Sequence, residues 1–144
     1  MAKIIRNVMS SIDNIKMINI PTVLDPRGKL AVVEKDTIPF SINRVYYLYD
    51  VPSDAFRGGH AHKKLSQILV ALSGSFEVYL KDGKSEVSVT LNKPNKGLLI
   101  KPGIWREIGN FSSGSVCLVL ASDVFDEADY IRDYGSFLEY KKEL

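Results

Sequence analysis

The chain has 144 residues, of which 45% are hydrophobic and 25% charged, and its formal net charge is +2. This composition is typical of one globular domain, here residues 1–144, and the small net charge argues against a nucleic-acid-binding surface. A single cysteine, Cys117, excludes a disulfide framework and a thiolate metal site, so we expect a reducing cytoplasm.

The N-terminal segment, residues 1–20, is interrupted by polar residues and lacks the long apolar region and the cleavage site of a signal peptide. No stretch of the sequence approaches transmembrane length. We therefore expect a protein that does not associate with a membrane.

Seven apolar segments rich in Val, Ile, Leu, Tyr and Phe then follow one another, each bounded by turn residues. They predict strands at residues 29–34, 44–50, 66–72, 75–81, 86–91, 97–101 and 115–122. Residues 75–91 form the clearest hairpin, because apolar residues alternate on both sides of Asp82-Gly83. Helical character is confined to residues 126–144, where Asp126 is the predicted N-cap. The pattern predicts an antiparallel sandwich or barrel with a ligand cavity inside it or at its mouth.

The two histidines of the chain, His60 and His62, lie two residues apart, so a strand would point both imidazoles to the same face. The segment around them resembles the first motif of the cupin superfamily, and "GLLIKPGIWREIGN" resembles the second. The resemblance maps the usual His, His, Glu, His metal ligands onto His60, His62, Gln67 and Arg106.

Two of these four residues argue against a metal. Gln67 is a poor ligand for a transition metal, and Arg106 places a permanent positive charge where the cation would sit. We therefore predict an all-β cupin-type antiparallel barrel, or jelly roll, that has a short C-terminal helix and uses no metal or other cofactor. Without a metal, the histidine pair can still act as general acid and base near neutral pH. The alternative is that both histidines are core or hydrogen-bonding residues.

A narrower family resemblance covers most of the chain, from about residue 25 to the C-terminus. The segments "RVYYLYDVPSDAFRGGHAHKKLSQ", "LNKPNKGLLIKPGIW" and "LVLASDVFDEADYIRDYGSFLEY" resemble the sugar 3,4-ketoisomerases related to the WxcM-like proteins. The resemblance implies a homodimer with exchanged N-terminal strands that moves the carbonyl of dTDP-4-keto-6-deoxyglucose from C4 to C3. The product would feed a 3-aminotransferase that makes 3-amino-3,6-dideoxyhexoses for surface polysaccharides, such as lipopolysaccharide O-antigen, or for glycosylated metabolites.

The same resemblance implies roles for particular residues. His60 and His62 match the catalytic acid–base pair, and the order in which they act is open. Tyr46 matches a tyrosine whose hydroxyl faces the sugar, although Tyr46, Tyr47 and Tyr49 are equally well explained as ordinary strand aromatics.

Five further residues are predicted to bind substrate. Arg57 can contact the diphosphate or the sugar, Gln67 can bind sugar hydroxyls or orient a histidine, and Arg106 can bind the diphosphate or offset an enediolate charge. Trp105 can stack on thymine or sugar, and Tyr79 is a further candidate on a strand.

Two other functions fit the same residues. A nucleotide-sugar epimerase of cupin fold would also use a His and Tyr acid–base set but would leave the ketone at C4. A non-catalytic sugar-binding cupin would bind the nucleotide sugar without exchanging its protons.

Overall fold

The computed structural model describes residue 12 and residues 15–144 of the chain. Twelve strands and one α-helix lie in this part: β1 (Ile15–Asn19), β2 (Thr22–Asp25), β3 (Gly28–Ala31), β4 (Arg44–Tyr49), β5 (Arg57–His62), β6 (Gln67–Ser73), β7 (Phe76–Lys81), β8 (Glu86–Leu91), β9 (Lys96–Ile100), β10 (Trp105–Gly109), β11 (Val116–Ala121), β12 (Tyr130–Ile131) and α1 (Tyr134–Lys142). Among the described residues, no helix is long and apolar enough to cross a membrane. Most of the segment compared above with a signal peptide lies outside the described residues.

Two five-stranded antiparallel sheets make up the body of the fold. The first sheet has the strand order β1-β9-β6-β11-β4, and the second has the order β12-β5-β10-β7-β8. A core of apolar side chains from both sheets lies between them, for example Leu69 and Val119 from the first sheet and Val78 and Ile108 from the second. The all-β fold with a short C-terminal helix is confirmed.

All seven predicted strands occur; 86–91 matches β8 at both ends, and the other six differ at one end or both. The hairpin over residues 75–91 is confirmed: β7 pairs with β8 from Phe76 opposite Leu91 to Lys81 opposite Glu86. The first predicted strand, 29–34, is shorter than expected, because β3 ends at Ala31 and pairs only with β2 in a separate two-stranded sheet. Strand β10 was not predicted, since its sequence "WREIG" places two charged residues inside a mostly buried strand.

The prediction that Asp126 begins the C-terminal helix is wrong. Asp126 accepts a hydrogen bond from the Ala128 N–H and caps a short 3₁₀ turn at Glu127–Asp129. Strand β12 then follows, so the helix begins only at Tyr134, where Asp133 accepts the Ser136 N–H. Helix α1 buries Phe137 against the outer face of the second sheet.

The outer face of the first sheet is only partly covered. Ile38, in the segment that joins β3 to β4, packs on Ile68 and Leu120 of this face. Strand β4 alternates, so that Tyr46 points inward while Tyr47 and Tyr49 point outward and remain 59% and 63% exposed. Tyr46 is therefore the one tyrosine of this strand that can reach a cavity between the sheets.

Candidate active site

A cavity of about 430 Å³ lies between the two sheets. Two of the residues that line it are buried and polar, Gln67 and Arg106. Four large side chains of its lining are exposed: Phe56, Arg57, Phe125 and Arg132. Exposed side chains mark the mouth of the cavity, and the buried ones mark its floor. A hollow of about 610 Å³ at residues 33–36 and 38–42 is lined by no histidine or arginine, so the cavity between the sheets is the candidate site.

His60 reaches this cavity because the backbone of β5 bends just before it. Gly58 and Gly59 have φ angles of +90° and +70°, a region that favours glycine. A Cβ on Gly58 would lie 3.1 Å from the carbonyl oxygen of Arg106, at the point where the pairing of β5 with β10 shifts register. The glycine pair therefore permits the close approach that brings His60 opposite Arg106.

The two histidines share one side of β5, as their spacing predicted, but their surroundings differ. Their ring centroids are 4.8 Å apart in an edge-to-face contact. His60 lines the cavity, whereas His62 is fully buried and is not part of the cavity wall. The Nε2 atoms of both rings are buried and have no hydrogen-bond partner among the described residues.

Burial and positive charge keep His60 neutral. Burial, followed by the nearby guanidinium of Arg106, lowers the pKa of His60 from 6.5 to about 4, while a hydrogen bond with the Gly58 backbone opposes the shift. A neutral imidazole with a free ring nitrogen can accept a proton at physiological pH.

A chain of hydrogen bonds links Arg106 to Tyr46. The Arg106 Nη1 donates to Gln67 Oε1 at 2.5 Å, and Gln67 Nε2 donates to the Tyr46 hydroxyl at 3.0 Å. The Tyr46 oxygen thus accepts from Gln67, so its own proton is available for a ligand in the cavity. Burial raises the pKa of Tyr46, which keeps this hydroxyl protonated.

Arg106 stands at the motif position that the sequence resemblance assigned to the last metal ligand of a cupin. Its guanidinium is buried, and its Nε and Nη2 donate to the Ile104 carbonyl oxygen. In the described part of the chain, no three His, Cys, Asp or Glu side chains come together as a metal-binding cluster. The donor set at this position therefore suits an anion rather than a cation.

Sequence reasoning missed Arg44, Asp129 and Tyr130. The Tyr130 ring contacts both histidine rings, with centroids 4.9 Å from His60 and 4.4 Å from His62. Arg44 Nη1 donates to the Tyr130 hydroxyl at 3.4 Å, and Asp129 is hydrogen-bonded to His62. Asp129 and Tyr130 lie within "ASDVFDEADYIRDY", which carried part of the family resemblance but suggested no role for either residue.

Two predicted binding residues are not part of the cavity wall. Trp105 packs beneath helix α1 against Tyr134 and Phe137, with its Nε1 donating to Glu107. The Tyr79 hydroxyl donates to Glu77 at 2.6 Å, and its ring contacts Phe56 at the mouth. The structure thus brings together Tyr46, Arg57, His60, Gln67 and Arg106, and it places Tyr79 and Trp105 elsewhere.

Two facing antiparallel sheets that enclose a neutral histidine, a tyrosine and a buried arginine define a cupin-type barrel with an acid–base site. The family model described as "FdtA: WxcM-like, C-terminal" matches residues 13–142, and the chain belongs to this family. The resemblance identified from the sequence is confirmed.

Three relatives illustrate the similarity. The TDP-4-oxo-6-deoxy-alpha-D-glucose-3,4-oxoisomerase of Aneurinibacillus thermoaerophilus is 49% identical over 126 residues, which are 87% of this chain and 91% of that protein. A variant of the 3,4-ketoisomerase QdtA from Thermoanaerobacterium thermosaccharolyticum, in complex with TDP-4-keto-6-deoxyglucose, is 43% identical, with a TM-score of 0.88 over 90% of this chain and 95% of that one. A 3,4-ketoisomerase from Helicobacter canadensis is 47% identical, with a TM-score of 0.87 over 90% of this chain and 98% of that one.

Proposed function

We propose that this protein is a dTDP-sugar 3,4-ketoisomerase that converts dTDP-4-keto-6-deoxyglucose into its 3-keto isomer. The observation that carries the proposal is the neutral His60, which lines a cavity together with Tyr46 and Arg106 and whose Nε2 has no hydrogen-bond partner among the described residues. The similarity to 3,4-ketoisomerases over about nine-tenths of the chain supports the same reaction.

The reaction moves a proton and a pair of electrons between neighbouring carbons. His60 removes the proton from C3, and the electrons of that bond form the C3–C4 double bond of an enediolate. The former C4 carbonyl oxygen takes up the negative charge. The proton of the C3 hydroxyl then passes to the former C4 carbonyl oxygen, and protonation of the C4 carbon leaves a carbonyl at C3 and a hydroxyl at C4. Substrate and product have the same oxidation state overall, so no redox cofactor is required.

The charge that develops on oxygen is stabilised by two groups of the cavity. Arg106 supplies a buried positive charge, and a cation excluded from water interacts strongly with an anion. The Tyr46 hydroxyl, oriented by Gln67, donates a hydrogen bond to the enediolate oxygen or a proton to C4. Both groups are fixed before the substrate binds, so little reorganisation is needed in the transition state.

The exposed side chains at the mouth suit the nucleotide. Arg57 can pair with the diphosphate, and Arg132, which is now in an exposed ion pair with Glu127, can exchange that partner for the diphosphate. Phe56 and Phe125 present exposed aromatic faces on which thymine can stack. This arrangement keeps the nucleotide away from the reacting carbons and leaves the sugar in the cavity.

The position of the ketone in the product tests the isomerase proposal. Incubation with dTDP-4-keto-6-deoxyglucose and ¹³C NMR should show the carbonyl carbon signal moving from C4 to C3. An epimerase would instead give a new stereoisomer with its ketone still at C4. A non-catalytic cupin would return the substrate unchanged, and either result would overturn the proposal.

We further propose that the protein is a single-domain homodimer with exchanged N-terminal strands and that it works in the cytoplasm. The exposed Tyr47 and Tyr49 on the outer face of the first sheet and the apolar hairpin β2–β3, with Leu24 71% exposed, support burial against a second copy. Strand β1 lies at the edge of the first sheet on β9, where the same strand of a partner can take its place.

A designed disulfide tests the exchange. Asn19 of β1 lies opposite Lys96 of β9, so the Asn19→Cys/Lys96→Cys double variant should oxidise across this pair. If the strands are exchanged, a covalent dimer should form on a non-reducing gel, and each single variant should remain uncrosslinked. A crosslink within one chain would contradict exchange, and a monomer in light scattering would contradict the dimer.

A further inference from the structure

His62 is fully buried and is bound by a carboxylate from a distant part of the chain. Asp129 Oδ2 lies 3.1 Å from His62 Nδ1, although 67 positions separate the two residues in the sequence. The His62 side chain is 0% exposed and that of Asp129 is 11% exposed, so solvent competes little for this contact.

The backbone around it holds Asp129 in place. Its Oδ1 accepts the Lys64 N–H at 2.8 Å, and its Oδ2 accepts the Leu65 N–H at 3.2 Å. Strand β12 pairs with β5 so that Tyr130, the next residue, lies opposite His62. Since both carboxylate oxygens already face N–H donors, Asp129 presents an acceptor to His62, and the Nδ1 atom must carry the proton.

The His62 ring also contacts the rings of two residues that line the cavity, His60 and Tyr130. Its centroid lies 4.8 Å from that of His60 and 4.4 Å from that of Tyr130, at interplanar angles of 84° and 62°. Burial and the guanidinium of Arg106 lower the pKa of His62, so the ring is neutral and its Nε2 carries a lone pair. His62 is thus a rigid, uncharged ring behind His60 and Tyr130, with its tautomer set from the opposite side.

We propose that Asp129 is a positioning residue that locks His62 in the Nδ1–H tautomer. The Asp129–His62 pair then holds the rings of His60 and Tyr130 in the cavity wall and does not itself exchange protons with the sugar. This assignment divides the work of the two histidines, and its kinetic part rests on the proposed isomerase function.

Nitrogen NMR reads the tautomer directly and without substrate. The untagged chain contains only two histidines, and the His60→Asn variant leaves His62 alone, which assigns its signals. We expect ¹⁵N shifts of a protonated Nδ1 and an unprotonated Nε2 between about pH 6 and pH 8. A proton on Nε2, or on both nitrogens, in the wild-type protein would overturn the proposal, whatever the outcome of the isomerase assay.

Replacing the Asp129 carboxylate by an amide tests whether Asp129 sets the tautomer of His62. In Asp129→Asn the amide nitrogen can point at Nδ1, so we expect His62 to shift towards the Nε2–H tautomer and kcat to fall roughly 10- to 100-fold with little change in KM. Asp126→Asn is the matched control, since Asp126 caps the 3₁₀ turn that contains Asp129 through the Ala128 N–H. Normal kcat and an unchanged tautomer in Asp129→Asn would contradict the proposal.

Isotope exchange separates positioning from proton transfer. In D₂O, His62→Asn should label the same carbon as the wild-type protein, only more slowly, because His60 remains the base. If His62→Asn instead abolished labelling at one carbon while exchange at the other continued, His62 would be a proton-transfer residue and the proposal would fail. This outcome is readable only if the wild-type protein isomerises, whereas the tautomer measurement is independent of that activity.

Discussion

At the scale of single residues, Arg106 has the widest influence on the cavity. Its buried positive charge is the second-largest cause, after burial itself, of the lowered pKa of both histidines. Burial lowers the pKa of Arg106 to about 10, so the guanidinium remains charged near neutral pH. In the proposed mechanism, the charge that keeps His60 unprotonated, and therefore able to act as a base, also stabilises the enediolate that this base generates.

The pH dependence of kcat/KM should report the lowered pKa of His60. The base must be neutral in the free enzyme, so activity is present above its pKa and is lost as the pH falls through about 4. We expect an acid limb well below the 6.5 of an ordinary histidine. Initial rates at low substrate concentration across this range measure it, and a limb near 6.5 would contradict the buried, neutral His60.

Replacing His60 should impair chemistry far more than binding. General acid–base groups typically contribute about 10²- to 10⁴-fold, so we expect His60→Asn to reduce kcat by roughly that factor. We place the nucleotide contacts at the mouth of the cavity, away from His60, so the Kd for dTDP from calorimetry should change little. Near-normal turnover in this variant would show that another group removes the C3 proton.

Tyr46 and Tyr47 are neighbours on β4 that face opposite sides of the sheet, which gives a matched pair of variants. Tyr46→Phe removes the hydroxyl that we propose donates to the enediolate, and the loss of one such donor typically costs about 10²-fold in kcat. Tyr47→Phe, on the exposed face, should be close to the wild-type protein in kcat. Equal effects in the two variants would rule out a special role for the Tyr46 hydroxyl.

At the scale of elements, the cavity depends on segments that are far apart in the sequence. Strand β5 supplies the histidines, β4 and β6 supply Tyr46 and Gln67, and β10 supplies Arg106. The 3₁₀ turn and β12, near the C-terminus, contribute Asp129 and Tyr130 by pairing with β5. Helix α1 then packs behind β12 and Trp105, on the side away from the core between the sheets.

The N-cap of α1 should contribute to stability but not to catalysis. Asp133 Oδ2 accepts the Ser136 N–H, so Asp133→Ala should lower the free energy of unfolding by about 1 kcal/mol. Denaturant titration followed by circular dichroism measures the change. Asp126→Ala, which removes the aspartate first predicted as the cap, should leave the helix signal in place. A larger loss of helix stability in Asp126→Ala than in Asp133→Ala would contradict the assignment of Asp133 as the N-cap.

Local pattern was enough to predict the elements whose faces alternate. The hairpin β7–β8 follows from its alternating apolar residues, and the period of β4 limits the inward tyrosines to one or two. Strand β10 escaped prediction because a buried Arg106 breaks the apolar pattern, and its acceptors, Gln67 and the Ile104 carbonyl, are revealed only by folding. The helix start was misplaced because Asp126 and Asp133 are equally good caps in sequence, and the pairing of β12 with β5 decides between them.

The residues that line the cavity were predictable where a motif fixed their spacing. His60, Gln67 and Arg106 come from motif positions and lie in one cavity. Asp129 could not be assigned a role, because its contact with His62 spans 67 positions and depends on β12. Trp105 and Tyr79 were chosen for their chemistry alone, and the sheet directs both side chains away from the cavity wall.

At the scale of the whole molecule, the barrel encloses a cavity in which the buried guanidinium of Arg106 stands at the motif position of a cupin metal ligand. The relatives named above, similar over about nine-tenths of the chain, share the overall fold with TM-scores of 0.87 and 0.88. The chemistry of Gln67 and Arg106 predicts a metal-free mechanism, so we expect chelators to leave the activity unchanged.

The most direct test of this account is NMR of the reaction with dTDP-4-keto-6-deoxyglucose in D₂O, with EDTA in the buffer and elemental analysis of the same sample. We predict a product with its ketone at C3 and deuterium at C4. EDTA should not change the rate at which it forms, and the protein should contain no stoichiometric metal. The His60→Asn variant should form this labelled product far more slowly. Deuterium entering only at C5, a ketone that stays at C4, or activity that EDTA abolishes would contradict the account.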